Sequence, residues 1–154
     1  MSAYSDALAL LARRELSVAQ LRERLLDRDH SPGDVEDAVA RLLESGALDD
    51  GRVARAYART AANVKGRGRL RITKELLAMG IARDVVAVAV AEVFGELDER
   101  ALIDRAIRKK LRSGRKPSTI QERARLYQFL MRQGFSPAAV SAAMRRLGPD
   151  QDDG

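Results

Sequence analysis

The 154 residues are 45% hydrophobic, 32% charged and only 4% aromatic, with no cysteine and a formal net charge of +6. The absence of cysteine excludes disulfides and cysteine-based zinc sites. The length suffices to bury a core, and a chain dominated by Ala and Leu suits packed helices better than a sheet.

In chain order, the first predicted helix covers 6–14, with Leu8, Leu11 and Ala12 at helical spacing. Ser17-Val18-Ala19-Gln20 reads as a capping box opening a second helix whose stripe is Leu21, Leu25 and Leu26. Ser31-Pro32 starts a third, with Pro at a position that needs no amide, and Gly46 stops it. Asp49-Asp50 are candidate caps for a helix over 51–63, with Val53, Tyr57 and Val64 on one side and Arg52, Arg55 and Arg59 on the other. The Lys65-Gly66-Arg67-Gly68-Arg69 link breaks the chain before a helix over 69–79. The alternation of Val and Ala over 85–93 reads as strand or helix when taken alone. Asp98 caps a helix carrying Ile103, Ala106, Ile107 and Leu111. After a break over 113–117, Ser118-Thr119-Ile120-Gln121 resembles another capping box, and Ser136-Pro137 caps the final helix.

A repeat settles the Val-Ala ambiguity. Residues 21–42, 72–93 and 126–147 align without gaps, at offsets of 51 and 54. Leu21/Ile72/Leu126, Leu25/Leu76/Leu130, Leu26/Leu77/Met131 and Val35/Val86/Val140 fall in register. The counterparts of 85–93 have helical spacing, so it is read as helix. A repeat of about 50 residues implies one supersecondary unit used three times. The expected fold is all-α, three tandem three-helix repeats (5–46, 47–95 and 96–148) in an elongated array free to curve, followed by a disordered acidic tail over 149–154.

Catalytic chemistry is sparse. The single histidine, His30, occupies the repeat position of Ile81 and Phe135, so it is read as a packing or surface residue at a turn rather than a catalytic one. There is no HExxH or EF-hand pattern, and Gly66-Arg67-Gly68 lacks the ending of a P-loop. Its glycines are read as serving backbone freedom. Neither an enzyme nor a cofactor or metal is expected. The apolar run at 85–91 is far short of a membrane span, and the opening residues lack a secretory pattern, so the cytoplasm is the expected location.

The cations are segregated. Arg52, Arg55, Arg59, Lys65, Arg67, Arg69, Arg71 and Lys74 form one stretch without an acid, and Arg105, Arg108, Lys109, Lys110, Arg112, Arg115 and Lys116 form another. This favours a polyanionic partner. Arginine pairs with carboxylates as well as phosphates, so charge alone leaves open an acidic protein surface or nucleic acid. Only Tyr57 interleaves with the cations, so any nucleic-acid contact is expected at the backbone rather than the bases. A helix-turn-helix reading fits the topology, but the would-be recognition helix over 83–94 is mostly Val and Ala, a poor base reader.

The chain resembles the RecX regulatory proteins of bacteria. The resemblance is carried by Ala7-Leu8-Ala9-Leu10-Leu11-Ala12-Arg13-Arg14-Glu15-Leu16-Ser17, by Gly46-Ala47-Leu48-Asp49-Asp50, and by Lys65-Gly66-Arg67-Gly68-Arg69-Leu70-Arg71-Ile72. Glu75-Leu76, Gly80-Ile81, Arg125-Leu126-Tyr127-Gln128-Phe129-Leu130 and Arg132-Gln133-Gly134-Phe135-Ser136 follow in order. Two departures, Asp29-His30 for a Gly and an aromatic and Val53 for a frequent Phe, are packing changes. The resemblance implies a non-enzyme that binds the RecA recombinase in the groove of its filament on single-stranded DNA; a monomer is expected. It implies inhibition of ATP hydrolysis and strand exchange. The residues assigned to partner or DNA binding are Arg52, Arg55, Arg59, Lys65, Arg67, Arg69 and Arg71, then Arg105, Arg108, Lys109 and Arg112. A stand-alone, sequence-independent nucleic-acid-binding protein is the alternative.

Overall fold

The computed structural model describes residues 1–112 and 114–148. The expected acidic tail over 149–154, and Ser113 of the expected break, lie outside the described residues. Among the described residues there are nine α-helices and no strand. They are α1 (Ala3–Arg13), α2 (Val18–Asp27), α3 (Pro32–Ser45), α4 (Asp50–Asn63), α5 (Arg69–Ala78), α6 (Arg83–Glu96), α7 (Glu99–Lys110), α8 (Ile120–Gln133) and α9 (Pro137–Arg146). The Val-Ala stretch is helical throughout, within α6.

Local chemistry accounts for most boundaries. Ser17 accepts from the amide of Gln20 while the Gln20 side chain accepts from the amide of Ser17, a closed capping box. Ser31 and Ser136 cap α3 and α9, each followed by Pro at the first turn. Gly46 and Gly134 end α3 and α8 in the left-handed region, where a Cβ is strained.

Four expectations shift. The buried side of α1 is Ala3, Asp6, Ala7 and Leu10, and Leu8 is 41% exposed. Leu26 is 46% exposed because Leu21 and Leu25 already fill the narrow side of α2 that faces its neighbours. Val64 lies beyond the end of α4 and is 70% exposed, so it leaves the stripe of Val53. The α8 cap is one residue later than expected. Thr119 accepts from the amide of Glu122, whose carboxylate accepts from the amide of Ser118 at 2.7 Å. That bond holds the Glu122 carboxyl below its ordinary pKa.

The chain divides into two compact units. The first comprises Met1–Tyr57 and Glu75–Ala89. There α1, α2 and α3 pack on one another around Leu16, Leu21, Leu25, Val39, Leu42 and Leu48. The second comprises Ala58–Lys74 and the described residues from Val90 onward, with α7, α8 and α9 packed around Ile103, Leu126, Leu130 and Val140. Each helix of the middle triplet contributes residues to both units.

Each unit contains a joint between consecutive triplets. In the first, the Ser17 hydroxyl donates to the Met79 carbonyl at 2.6 Å, and the Val18 amide donates to Asp50 Oδ1 at 2.9 Å. Gly80 sits against Ala19 with no room for a Cβ. In the second, the Gly68 amide donates to the Gln133 carbonyl at 2.7 Å, and the Leu70 amide to the Gly134 carbonyl at 2.9 Å. Gly68 and Gln133 stand 51 residues after Ser17 and 54 after Met79, so the two joints occupy equivalent repeat positions. A Cβ on Gly68 would strike the peptide between Gly134 and Phe135. Close approach, rather than backbone freedom, therefore requires glycine at 68, while Gly66, at φ 67°, fits the freedom reading. The amides of Arg67, Gly68 and Leu70 all donate to carbonyls of the chain, so this loop does not present a row of free amides to a phosphate.

His30 fills the turn position as expected and has a specific partner. Its Nε2 lies 2.6 Å from Asp6 Oδ2 on α1, and Arg28 lies 3.5 Å from the other Asp6 oxygen. The hydrogen bond from His30, and next the charge of Arg28, lower the Asp6 pKa against the opposing effect of burial. A carboxylate favoured in the folded state stabilises above its ordinary pKa of about 4. That contribution is lost as pH falls through the lower folded value. In urea unfolding from about pH 5 to about pH 3, Asp6→Asn should therefore lose less stability than the wild type; equal acid slopes would sink the assignment.

The second joint makes a separate prediction. Gly134 combines φ 100° with an Arg71 backbone that a Cβ would strike, so Gly134→Ala should cost on the order of 2–4 kcal/mol. Gly66→Ala, at φ 67° with open space around it, should cost only about 1 kcal/mol. Chemical denaturation of the two variants checks the difference.

Candidate basic partner-binding surface

The helix spacing of Arg52, Arg55 and Arg59 comes from α4, which Asp49 starts by accepting from the Arg52 amide at 3.1 Å. Arg52 is half-buried rather than fully exposed. Its Nη1 donates to the Gly46 carbonyl at 2.7 Å, its Nη2 to the Ala47 carbonyl at 3.0 Å, and its Nε to Glu15 at 3.3 Å. This guanidinium clasps the carbonyls left over at the end of α3. Arg55 is half-buried in the same unit. Arg59 is exposed and pairs with Glu96 at 3.4 Å, both side chains about half in solvent.

The glycine-broken link and the first turn of α5 carry the next four. Lys65 is exposed, whereas Arg67, Arg69 and Arg71 are half-buried. The Arg69 guanidinium lies 5.2 Å from the centre of the Phe94 ring, within cation–π range. Arg71 stands at the second joint, where its backbone and Cβ meet Gly134.

On α7 the apolar positions Leu102, Ile103, Ala106 and Ile107 are buried, which turns Arg105, Arg108, Lys109 and Lys110 outward. Arg112 follows the helix and is exposed. Arg105 Nη1 donates to the Asn63 carbonyl at the end of α4, 2.8 Å away. That bond joins the two basic stretches. Lys65, Arg105, Lys109 and Lys110 surround a cavity of about 320 Å³, lined beneath by Ala62, Leu102, Ala106 and Phe129. Arg108 and Arg112, with Arg115 and Lys116, line a separate hollow of about 360 Å³ against Ile107, Leu111 and Leu147.

The structure thus gathers Lys65, Arg105 and Lys109 at one cavity and Arg108 and Arg112 at another. Arg52 and Arg55 belong to the first compact unit and join neither. Among the cavity residues outside the assigned set are Lys110 and Phe129. Lys110 belonged to the same basic run, but Phe129, whose ring lies 4.9 Å from the Lys110 ammonium, is off the apolar register and gives no periodic signal. Among the described residues, no group of three metal-ligating side chains comes together, and no helix is long and apolar enough to cross a membrane.

Comparison with known proteins assigns the triplets. Residues 3–42, 49–90 and 98–144 match the first, second and third three-helix domains of RecX. A regulatory protein RecX of Halorhodospira halophila is 36% identical over 148 residues, covering 96% of this chain and 89% of the relative. The chain belongs to the RecX family. Another RecX, from Pelodictyon phaeoclathratiforme, is 34% identical over 154 residues, covering 98% of this chain and 94% of the relative. The crystal structure of RecX from Lactobacillus salivarius shares the fold, with a TM-score of 0.79 at 18% identity and 94% of each chain covered. RecX proteins are regulatory proteins by name.

The arginines of α4 should separate in a stability experiment. Arg52→Ala removes hydrogen bonds to two helix-end carbonyls and should cost about 1–2 kcal/mol. Arg59→Ala breaks only an exposed ion pair and should stay within about 0.5 kcal/mol of the parent. Thermal or urea denaturation of the two variants tests this, and equal losses would contradict it.

Proposed function

We propose that this chain is a negative regulator of the RecA recombinase, binding the groove of the RecA filament on single-stranded DNA and inhibiting ATP hydrolysis and strand exchange. Membership of the RecX family over nearly the whole chain carries this reading. The surface chemistry supports it. Exposed cations on α7 and around Lys65 suit the carboxylates of a protein groove and the phosphates within it. The three triplets, 5–46, 47–95 and 96–148, are taken as successive repeats that together contact the filament. The protein acts as a monomer, without a cofactor, in the cytoplasm.

Within the assigned residues the reading places most weight on Lys65, Arg105, Arg108, Lys109 and Arg112. Arg59 is exposed but paired, Arg55 is half-buried, and Arg67, Arg69 and Arg71 flank the second joint. Arg52 contributes chiefly by holding the α3–α4 connection in shape.

The test is ATP hydrolysis by preformed RecA filaments on single-stranded DNA, titrated with this protein at fixed salt. Hydrolysis should fall at amounts well below one protein per RecA. Reversing two exposed charges, Arg108→Glu with Arg112→Glu, should raise the amount needed by about tenfold while leaving the melting temperature unchanged. No inhibition up to excess protein, with bare single-stranded DNA bound in a steeply salt-dependent way, would instead favour a stand-alone nucleic-acid-binding protein.

A further inference from the structure

We infer that the cavity between the end of α4 and α7 receives an apolar side chain from an acidic peptide segment, whose flanking carboxylates are held by Lys65, Arg105 and Lys109. The proposal rests on the partner reading above for its biological setting, and on the cavity alone for its chemistry. Two features define the ligand. The rim is cationic, and none of the residues lining the cavity is acidic. The floor is apolar and formed partly by short side chains, Ala62 and Ala106, which leave room that a longer residue would fill. A ligand that matched only the rim, such as a bare phosphate, would leave the floor wet. A carboxylate pair flanking a Leu or Phe satisfies both. Val64, 70% exposed beside the cavity, offers further apolar surface for such a segment to cover.

A nucleic-acid base is the competing occupant, since it too joins an anion to an apolar plane. Phe129 argues against it. A base needs an open aromatic face to stack on, and the Lys110 ammonium already lies 4.9 Å from this ring's centre. Arg105 is also held in place by its bond to the Asn63 carbonyl. An anchored guanidinium favours planar, bidentate pairing with a carboxylate.

The experiment is amide chemical-shift mapping on the full chain with three short peptides. One has the sequence Glu-Asp-Leu-Glu-Asp, one replaces its Leu by Gly, and one replaces its acids by Gln and Asn. The acidic Leu peptide should shift the amides of residues 63–66 and of α7, and the other two should bind about tenfold more weakly. Lys109→Glu should abolish the shifts without lowering the melting temperature. If Lys109→Glu lowers the melting temperature, Lys65→Glu, at an exposed position outside any helix, is read in its place. Equal binding of the Leu and Gly peptides would overturn the proposal, because charge alone would then suffice. So would the absence of shifts at millimolar peptide, or shifts at these residues with an oligothymidylate but not with the peptide. Peptide binding by a protein that fails to inhibit RecA would support the cavity assignment and overturn the RecA reading. Inhibition without peptide binding would overturn the cavity assignment alone.

Discussion

The architecture depends on how one triplet accepts the next. A helix leaves its last carbonyls without partners, and a turn between helices exposes them where another element can approach. Here the carbonyls of Met79 and Gln133, at the end of the second helix of a triplet, receive donors from the start of the second helix of the preceding triplet. Both approaches are so close that the turn residue has to be glycine, Gly80 in one and Gly134 in the other. The same glycines provide the left-handed backbone that the turn demands, with φ of 80° and 100°. Two requirements, one conformational and one steric, thus converge on one residue in each joint.

This convergence shows how much of the fold could be read from the chain. Helices, triplets and most caps were legible because they follow from local rules. Ser17 with Gln20, Ser31 with Pro32 and Ser136 with Pro137 are such signals, and the repeat converted the ambiguous Val-Ala stretch into a helix. What was not legible depended on contacts distant in sequence. Nothing local to Gly68 says that its missing side chain makes room for the peptide after Gly134. The expectation that Leu26 and Val64 are buried treated apolar character as sufficient, whereas the burial of each was decided by whether another helix reached it.

The candidate site divides along similar lines. The grouping of cations into two stretches was plain in the sequence, but their roles were not. Arg52 was assigned with its neighbours to a partner, and its guanidinium reaches two helix-end carbonyls of its own chain. Such a role has no compositional sign, because it depends on where α3 ends relative to α4. The reverse holds for Lys65 and Arg105, which lie in separate stretches yet line one cavity, Arg105 donating to the Asn63 carbonyl beside it. A basic run in sequence is therefore a mixture of surface charge and structural clasp, and only the fold sorts one from the other.

The two joints differ in one respect that bears on how such a chain can change over generations. At the first, the donor is the hydroxyl of Ser17; at the second, the donor is the backbone amide of Gly68. A hydroxyl is encoded and can be removed by a single codon change that leaves the main chain alone. An amide is common to every residue except proline, so drift in side-chain identity cannot delete it. The first junction is thus written in heritable side-chain chemistry and open to retuning. The second is written in the polymer itself, where variation can crowd the contact but not erase its donor.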